Sequence, residues 1–428
     1  MKSTKFRSTL VSMLIILSTI ILVVNTHPMS RVPSEEVTAE SLPPDTFRQL
    51  AQALYNRDDK ETHRLERKFL YNTSVTCNDG SRAGYYIRRN YQSKRWIVFL
   101  EGMFLYSIYI GTQTEDLKYI YIIGGMICHN EQSCNERMAR EQYLMSSNNW
   151  GPEKSVGGIL SADPEENPYY SDANHVFVPY CSSDSWSGTK KDSQGLTFMG
   201  RLIVQEVIKE LSSYQGLLFG QELFLAGSSA GAIGVLLNVD FVAQLVQPNV
   251  AVRGIVDSGW FLDNQESNRF LHDLKEGIKM WEAHVNDDCA RNYPEELYQC
   301  YLGYKVHPFI KSPLFIFQWQ FDSFQLHAEN VAVPTSPDPA QWNFIHTIGA
   351  NLRKSFKDID HVFSPACIEH TAITKEGWNT VEVDGVSLPD ALYCWSSSLP
   401  DAVNANLQIS SSRIIPSSLD LSDTSRKR

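Results

Sequence analysis

Apolar residues gather along this chain in short runs separated by stretches of helical spacing. Trp96–Leu100, Val176–Pro179, Leu223–Ala226, Val252–Val256 and Leu314–Trp319 are four to six residues long and rich in β-branched and aromatic side chains, so they read as buried strands. Between them, Met199–Leu211 repeats its apolar positions every three or four residues, as an amphipathic helix does. Strands alternating with helices predict an α/β fold whose mostly parallel sheet is covered on both faces. The ends differ from this body. Lys2, Lys5 and Arg7 precede an apolar run, Leu10–Val24, and a polar stretch follows at Asn25-Thr26-His27, so residues 1–26 read as a signal peptide, too short for a span of about 20 apolar residues. Residues 27–65 form a polar leader and 66–399 the folded body. Beyond Leu399 the composition turns to Ser, Asp and Arg without aromatics, which predicts a disordered tail over 400–428.

Composition narrows the function classes. With 428 residues, 43% of them hydrophobic, the chain can bury a large core. A net charge of −11 without a basic cluster in the body argues against a nucleic-acid partner. Secretion changes how the eight cysteines are read: without a C-x-x-C pair they form disulfides, and spacing pairs Cys128 with Cys134, Cys289 with Cys300 and Cys367 with Cys394, leaving Cys77 with Cys181. Asn72-Thr73-Ser74 is a glycosylation sequon and marks Asn72 as an exposed position. No H-E-x-x-H and no phosphate-binding Gly loop occurs, so neither metal nor organic cofactor is expected.

The most informative stretch is "ELFLAGSSAGAIGVLLNVD", Glu222–Asp240. An apolar strand runs through Gly-Ser-Ser-Ala-Gly into a segment that can be a helix, which is G-x-S-x-G between the two elements that give it meaning. Small neighbours, Gly227 and Gly231, leave room for a sharp strand-to-helix turn that presents a hydroxyl, and the helix N-terminus adds a favourable dipole. Ser229 is the nucleophile candidate. Its hydroxyl needs a base, and the base needs an acid, in the chain order Ser, acid, His. Asp322 follows the strand in "PLFIFQWQFDSFQL", and Asp257 and Asp263 follow an earlier one; His370 stands in "FSPACIEHTAITKEGW" and His361 just before it. The residues by themselves leave these alternatives open.

Several motifs in one order carry a resemblance: "NTSVTCNDGSRAGYYI", "PEENPYY", "VFVPYCSSDSWSG", "LFLAGSSAGAIGVLLNVD", "VDSGWFLDN" and "GYKVHPF". Over Leu70–Trp395 the chain resembles the Notum family of secreted carboxylesterases, relatives of the pectin acetylesterases. The resemblance implies an α/β-hydrolase fold with a helical lid region. It implies removal of a palmitoleate ester from a serine of Wnt proteins, with Ser229 as nucleophile, His370 as base and Asp322 as acid. It also implies binding to glypican heparan sulfate, which so acidic a chain supports poorly. Phe261, Leu274, Tyr301 and Leu302 match acyl-pocket positions, with ordinary core packing as the alternative.

The chain departs from the family in several places, first at the oxyanion turn. Acyl transfer needs N–H donors aimed at the developing oxyanion, each contributing about 3–4 kcal/mol. Ala230 supplies one; Gly125 and Met126 match the others, on a turn that reads Leu-Glu-Gly-Gly-Trp-Tyr-Cys in the family. Here that turn is split, with Leu100-Glu101-Gly102 on one side and Gly125-Met126-Ile127-Cys128 on the other. The intervening Met103–Gly124 reads as a retained in-frame intron: Gly-Met-Phe can encode a GTATGT donor and Ile-Ile-Gly can end in ATAG. A genuine loop insertion is the alternative, since loop length costs little. Ala232 replaces a second elbow glycine, Gln265–Lys275 is shortened and lacks a cysteine pair, and Ser312 stands where a cysteine is expected. Two further readings stay open: a polysaccharide or small-ester acetylesterase, and a catalytically impaired binding homologue.

Overall fold

A computed structural model describes residues 64–399, apart from 103–105, 111–117, 123–126, 194, 265–268, 330 and 332–338, together with Arg413–Ile414. The signal peptide, all but the last residues of the leader, and the oxyanion candidates Gly125 and Met126 lie outside the described residues.

Sixteen strands occur among the described residues. Ten of them form one sheet: β1 (Arg64–Phe69), β2 (Gly84–Arg88), β3 (Arg95–Leu100), β6 (Glu153–Ser155), β7 (Asn174–Val178), β10 (Glu222–Ser228), β11 (Ala251–Asp257), β12 (Leu314–Phe317), β13 (Val362–Phe363) and β16 (Arg413–Ile414). The order is β16-β13-β12-β11-β10-β3-β7-β2-β1-β6. Pairing is parallel from β16 through β7 and antiparallel from β7 to β6. The expected α/β architecture with a mostly parallel sheet is therefore present, and it carries an antiparallel edge that periodicity did not indicate. Strand β1, RLERKF, hides its strand character because Arg64, Glu66, Arg67 and Lys68 interrupt the apolar alternation; only Leu65 of its residues is buried. The two residues of β13 are too few to show any period.

Alternation along the central strands explains why both faces are covered. Trp96, Val98 and Leu100 of β3 and Leu223 and Leu225 of β10 join one buried cluster, whereas Ile97, Phe99, Phe224 and Ala226 join another on the opposite face. Helices pack on the first face: α1 (Glu131–Arg140), α2 (Gly200–Tyr214), α3 (Ala230–Leu245) and α4 (Arg269–Met280). The second face is covered by α7 (Leu388–Ser398) through Leu388, Leu392 and Trp395. Two more helices, α5 (Ser323–Ala328) and α6 (Pro339–Ser355), follow β12. Buried on every side from Ala230 to Val239, α3 is apolar all round, as its sequence requires.

Outside the main sheet, β4 (Tyr106–Ile110) pairs only with β5 (Lys118–Ile122) among the described residues, β8 (Lys190–Ser193) with β9 (Leu196–Phe198), and β14 (Glu382–Val383) with β15 (Val386–Ser387). Within the segment 400–428, Arg413–Ile414 forms the edge strand beside β13, and the rest of the expected tail lies outside the described residues. Disulfides join Cys128 to Cys134 and Cys289 to Cys300, as spacing suggests, and Cys77 to Cys181, the pair left over. The fourth pairing is corrected: Cys367 and Cys394 are both exposed and no bridge joins them. The topology keeps them apart. Cys367 lies past the C-terminal end of β13, whereas the helix carrying Cys394 packs Trp395 on Phe224, Phe315 and His361, at the N-terminal ends of the strands. Among the described residues, no helix is long and apolar enough to cross a membrane.

Candidate active site

Strand β10 lies between β3 and β11 at the centre of the sheet and ends at Ser228. Ser229 follows with φ 55° and ψ −119°, a conformation that strains a side chain with a Cβ, and α3 begins at Ala230. The turn is possible because its neighbours lack side chains. A Cβ on Gly227 would lie 2.3 Å from the Gly231 carbonyl oxygen, and one on Gly231 would lie 1.9 Å from that of Leu100.

Across from this turn, His370 comes from the loop after β13, and its Nε2 stands 2.8 Å from Ser229 Oγ. On the other side of the ring, Nδ1 lies 2.9 and 3.1 Å from the two carboxylate oxygens of Asp322. Asp322 is also the N-cap of α5, accepting from the Phe324 and Gln325 N–H groups at 3.0 and 3.1 Å, while Gln318 Nε2 donates to its other oxygen at 3.1 Å. A carboxylate held by four donors cannot swing, so it fixes both the tautomer and the plane of the imidazole. Phe324 stacks on that ring at 5.8 Å, and Lys375 Nζ donates to the His370 carbonyl at 2.6 Å. All three groups are buried. Such a line can withdraw the Ser229 proton as Oγ attacks an ester carbonyl.

The alternatives left open by the residues fall elsewhere. Asp263 is exposed and accepts from the Tyr304 hydroxyl. His361 precedes β13, at the opposite end of the sheet from His370. Asp257 ends β11 next to the elbow and accepts from the Ala372 and Ile373 N–H groups rather than from an imidazole.

The split turn is anchored at both roots by one loop. Glu101 N–H donates to Val178, its carboxylate accepts from Tyr180 N–H at 2.8 Å, and its carbonyl accepts from Trp186 Nε1 at 3.0 Å. On the far side of the insertion, Ile127 bridges to Asp184, and Cys128 N–H donates to Ser183 at 3.1 Å. Ser183, Ser185 and Trp186 all have positive φ, so this loop is strained where it grips the turn. Asp184 secures it by accepting from Ser182 Oγ and from the Trp186, Gly188 and Gly200 N–H groups; burial pushes its carboxyl up to about 6 against those donors. Lys154 Nζ sits 3.9 Å from the Glu101 carboxylate, and burial brings its ammonium down to about 8. In the sequence this loop is marked only by an acid among four small serines, Ser182, Ser183, Ser185 and Ser187. Gly102 completes the site, since a Cβ there would lie 1.7 Å from the Ser228 oxygen and 3.0 Å from the Ala230 nitrogen.

Of the acyl-pocket candidates, Phe261 packs against Phe270 at 5.8 Å and Phe324 at 5.1 Å, one ring away from His370. Leu274, Tyr301 and Leu302 are buried in the same cluster, and the Tyr301 hydroxyl donates to Ser187 at 2.7 Å. Phe270 and Phe324 were not foreseen, because single aromatics without a period carry no positional signal. Asn72 is exposed, with its Oδ1 accepting from Ser74 Oγ at 2.7 Å. No cluster of three or more His, Cys, Asp or Glu residues that could hold a metal occurs among the described residues.

Comparison with known proteins follows the same lines. Residues 106–410 match the family model described as Pectinacetylesterase. The chain is 43% identical over 352 residues to palmitoleoyl-protein carboxylesterase NOTUM of Drosophila melanogaster, an alignment covering 78% of this chain and 48% of that protein. It is 43% identical over 375 residues to palmitoleoyl-protein carboxylesterase notum1a of Danio rerio (83% and 70% covered) and 42% identical over 376 residues to NOTUM of Mus musculus (83% and 70%). The chain thus spans about half the length of the fly relative and about 70% of the other two.

Proposed function

The chain belongs to the pectinacetylesterase family and, within it, to the Notum-type palmitoleoyl-protein carboxylesterases, and from that premise we propose that it is a secreted serine esterase that removes palmitoleate from a serine of Wnt-type proteins and so silences their signal. The observation that carries the proposal is the buried line Ser229–His370–Asp322, with contacts of 2.8 and 2.9 Å and the nucleophile on a strained turn at a helix N-terminus.

In the proposed reaction Ser229 Oγ attacks the acyl carbonyl carbon while His370 Nε2 takes its proton. Negative charge develops on the carbonyl oxygen, where the Ala230 N–H stabilises it; the further donors expected from Gly125 and Met126 lie outside the described residues. As the tetrahedral intermediate collapses, the carbon–oxygen bond to the substrate serine breaks and His370 returns the proton to that oxygen, leaving an acyl-Ser229. Water, activated by the same imidazole, then releases the fatty acid. Phe261, Phe270 and Phe324 give an apolar approach to the histidine, which suits a long acyl chain better than an acetate. Asp322 holds the ring throughout.

The test is hydrolysis of aryl esters of rising acyl length, with Ser229→Ala as the blank, followed by mass-spectrometric detection of palmitoleate loss from an acylated serine peptide. Turnover that rises toward medium and long chains is expected. Activity confined to acetyl esters would replace the reading with a small-ester hydrolase, and activity equal to the blank with a binding homologue. Heparan sulfate of glypicans is the second proposed partner, checked by salt-sensitive retention on heparin, which a net charge of −11 works against.

A further inference from the structure

Asp257 is a fully buried carboxylate that the reaction described above does not use, and its surroundings are unlike those of a stray acid. Its Oδ2 accepts from Ser228 Oγ at 2.5 Å, one residue before the nucleophile, and from the N–H groups of Ala372 and Ile373 at 3.0 and 3.1 Å, two and three residues after His370. Its Oδ1 accepts from Ser258 Oγ at 2.9 Å, and Ser258 Oγ in turn accepts from Thr371 N–H at 2.9 Å. Its main-chain carbonyl accepts from Ser229 N–H at 2.8 Å. Three consecutive peptide N–H groups behind the imidazole and the Ser228 hydroxyl are thus tied to the Asp257 carboxylate or to its neighbour Ser258, and Ser229 N–H is tied to the Asp257 main chain.

Strain concentrates at the same place. Ser229, Ser258 and Thr371 have φ of 55°, 57° and 60°, although none is glycine. Such backbone persists only where its surroundings over-determine it. Burial raises the Asp257 carboxyl above the usual range, and the four donors counter that rise.

We infer that Asp257 is a positioning residue: it clamps the serine turn to the histidine loop and so sets the Oγ-to-Nε2 distance, whereas Asp322 sets the orientation of the ring. The inference rests on the esterase reading. Asp257→Asn keeps the shape but turns one acceptor into a donor that faces the Ala372 and Ile373 N–H groups or a serine hydroxyl. A displacement of 1 Å at reacting atoms costs about 100-fold in rate.

The experiment compares wild type, Asp257→Asn and the double variant Ser228→Ala/Ser258→Ala by kcat and KM on a medium-chain aryl ester and by the rate of Ser229 labelling with a fluorophosphonate, each normalised to folded protein from a thermal melt. For Asp257→Asn a kcat about 100-fold lower is expected, with KM within twofold and labelling slowed in parallel. A general loss of structure would not produce that split, because it lowers the folded fraction and leaves each folded molecule as fast as before. If Asp257→Asn does not fold, the double variant decides: a kcat about tenfold lower at unchanged KM supports the clamp, and wild-type kcat overturns it. Folded Asp257→Asn with kcat and labelling within threefold of wild type also overturns it while leaving the esterase reading intact. A wild-type protein that neither turns over nor labels overturns both.

Discussion

Gly102 offers the sharpest test of how the split turn meets the nucleophile. A Cβ at Gly102 would lie 1.7 Å from the Ser228 carbonyl oxygen, 2.8 Å from its carbon and 3.0 Å from the Ala230 nitrogen, and separations under 3.0 Å are essentially never seen for real Cβ atoms. Gly102→Ala must therefore part the end of β3 from the elbow by at least about 1.3 Å. The obstacle is backbone on both sides, so no side-chain rotation relieves it. Because Ala230 N–H and the split turn are the proposed oxyanion donors, that separation acts where charge develops, and a misplacement of this size costs about 100-fold or more, on the order of 3 kcal/mol in the barrier. The assay is kcat and kcat/KM on aryl esters, with a thermal melt to show that the variant folds and fluorophosphonate labelling to count competent serines. Folded Gly102→Ala with kcat within threefold of wild type would refute the placement of this turn against Ser229.

Other consequences are quickly checked. Ser229→Ala should reduce ester hydrolysis to background, and Asp322→Asn should lower kcat by about 10⁴-fold, since an amide at this position favours the wrong imidazole tautomer; steady-state kinetics on the same esters decides. Both roots of the insertion are anchored to the Tyr180–Trp186 loop, so a chain lacking Met103–Gly124 should fold and turn over medium-chain esters at least tenfold faster, whereas equal activity would make the segment a tolerated loop. Sequencing the transcript across this junction shows separately whether every message encodes it. His175 is buried, its Nε2 2.8 Å from the Tyr170 carbonyl and its Nδ1 facing Arg88; burial, reinforced by that guanidinium, brings it from 6.5 down to about 3. Below pH 6.5 the unfolded chain therefore binds a proton that the folded one refuses, and stability falls with falling pH at up to about 1.4 kcal/mol per unit. Chemical denaturation of His175→Gln should show a shallower decline from pH 6.5 to 4; identical slopes would exclude the assignment.

Much of the site was legible because its chemistry is local. The elbow is written in five consecutive residues, Gly227 to Gly231, whose smallness is itself the requirement, and the strands beside it are continuous apolar runs. Asp322 was harder to pick out, because Asp257 and Asp263 also follow a strand. What distinguishes them is three-dimensional: Asp322 caps a helix that points it at His370, Asp257 faces peptide N–H groups, and Asp263 faces solvent. The cysteine pairs show the same division. Short spacing brought Cys128 to Cys134 and Cys289 to Cys300, but the same logic failed for Cys367 and Cys394, since β14 and β15 intervene and α7, which carries Cys394, packs at the opposite end of the sheet.

The sequence by itself determined the alternation of buried strands and helices, the small-residue turn around Ser229 and the two short-spaced cross-links, because each depends on residues near one another in the chain or on a period that repeats. Only the tertiary structure showed that Asp322 and His370, rather than Asp257 or His361, line up on Ser229, that the Tyr180–Trp186 loop grips both roots of the insertion, and that Asp257 ties the elbow to residues more than a hundred positions away. Those contacts depend on which strand ends lie side by side in the sheet, and hydrogen-bond geometry across such distances leaves no period or spacing for a linear reading to detect.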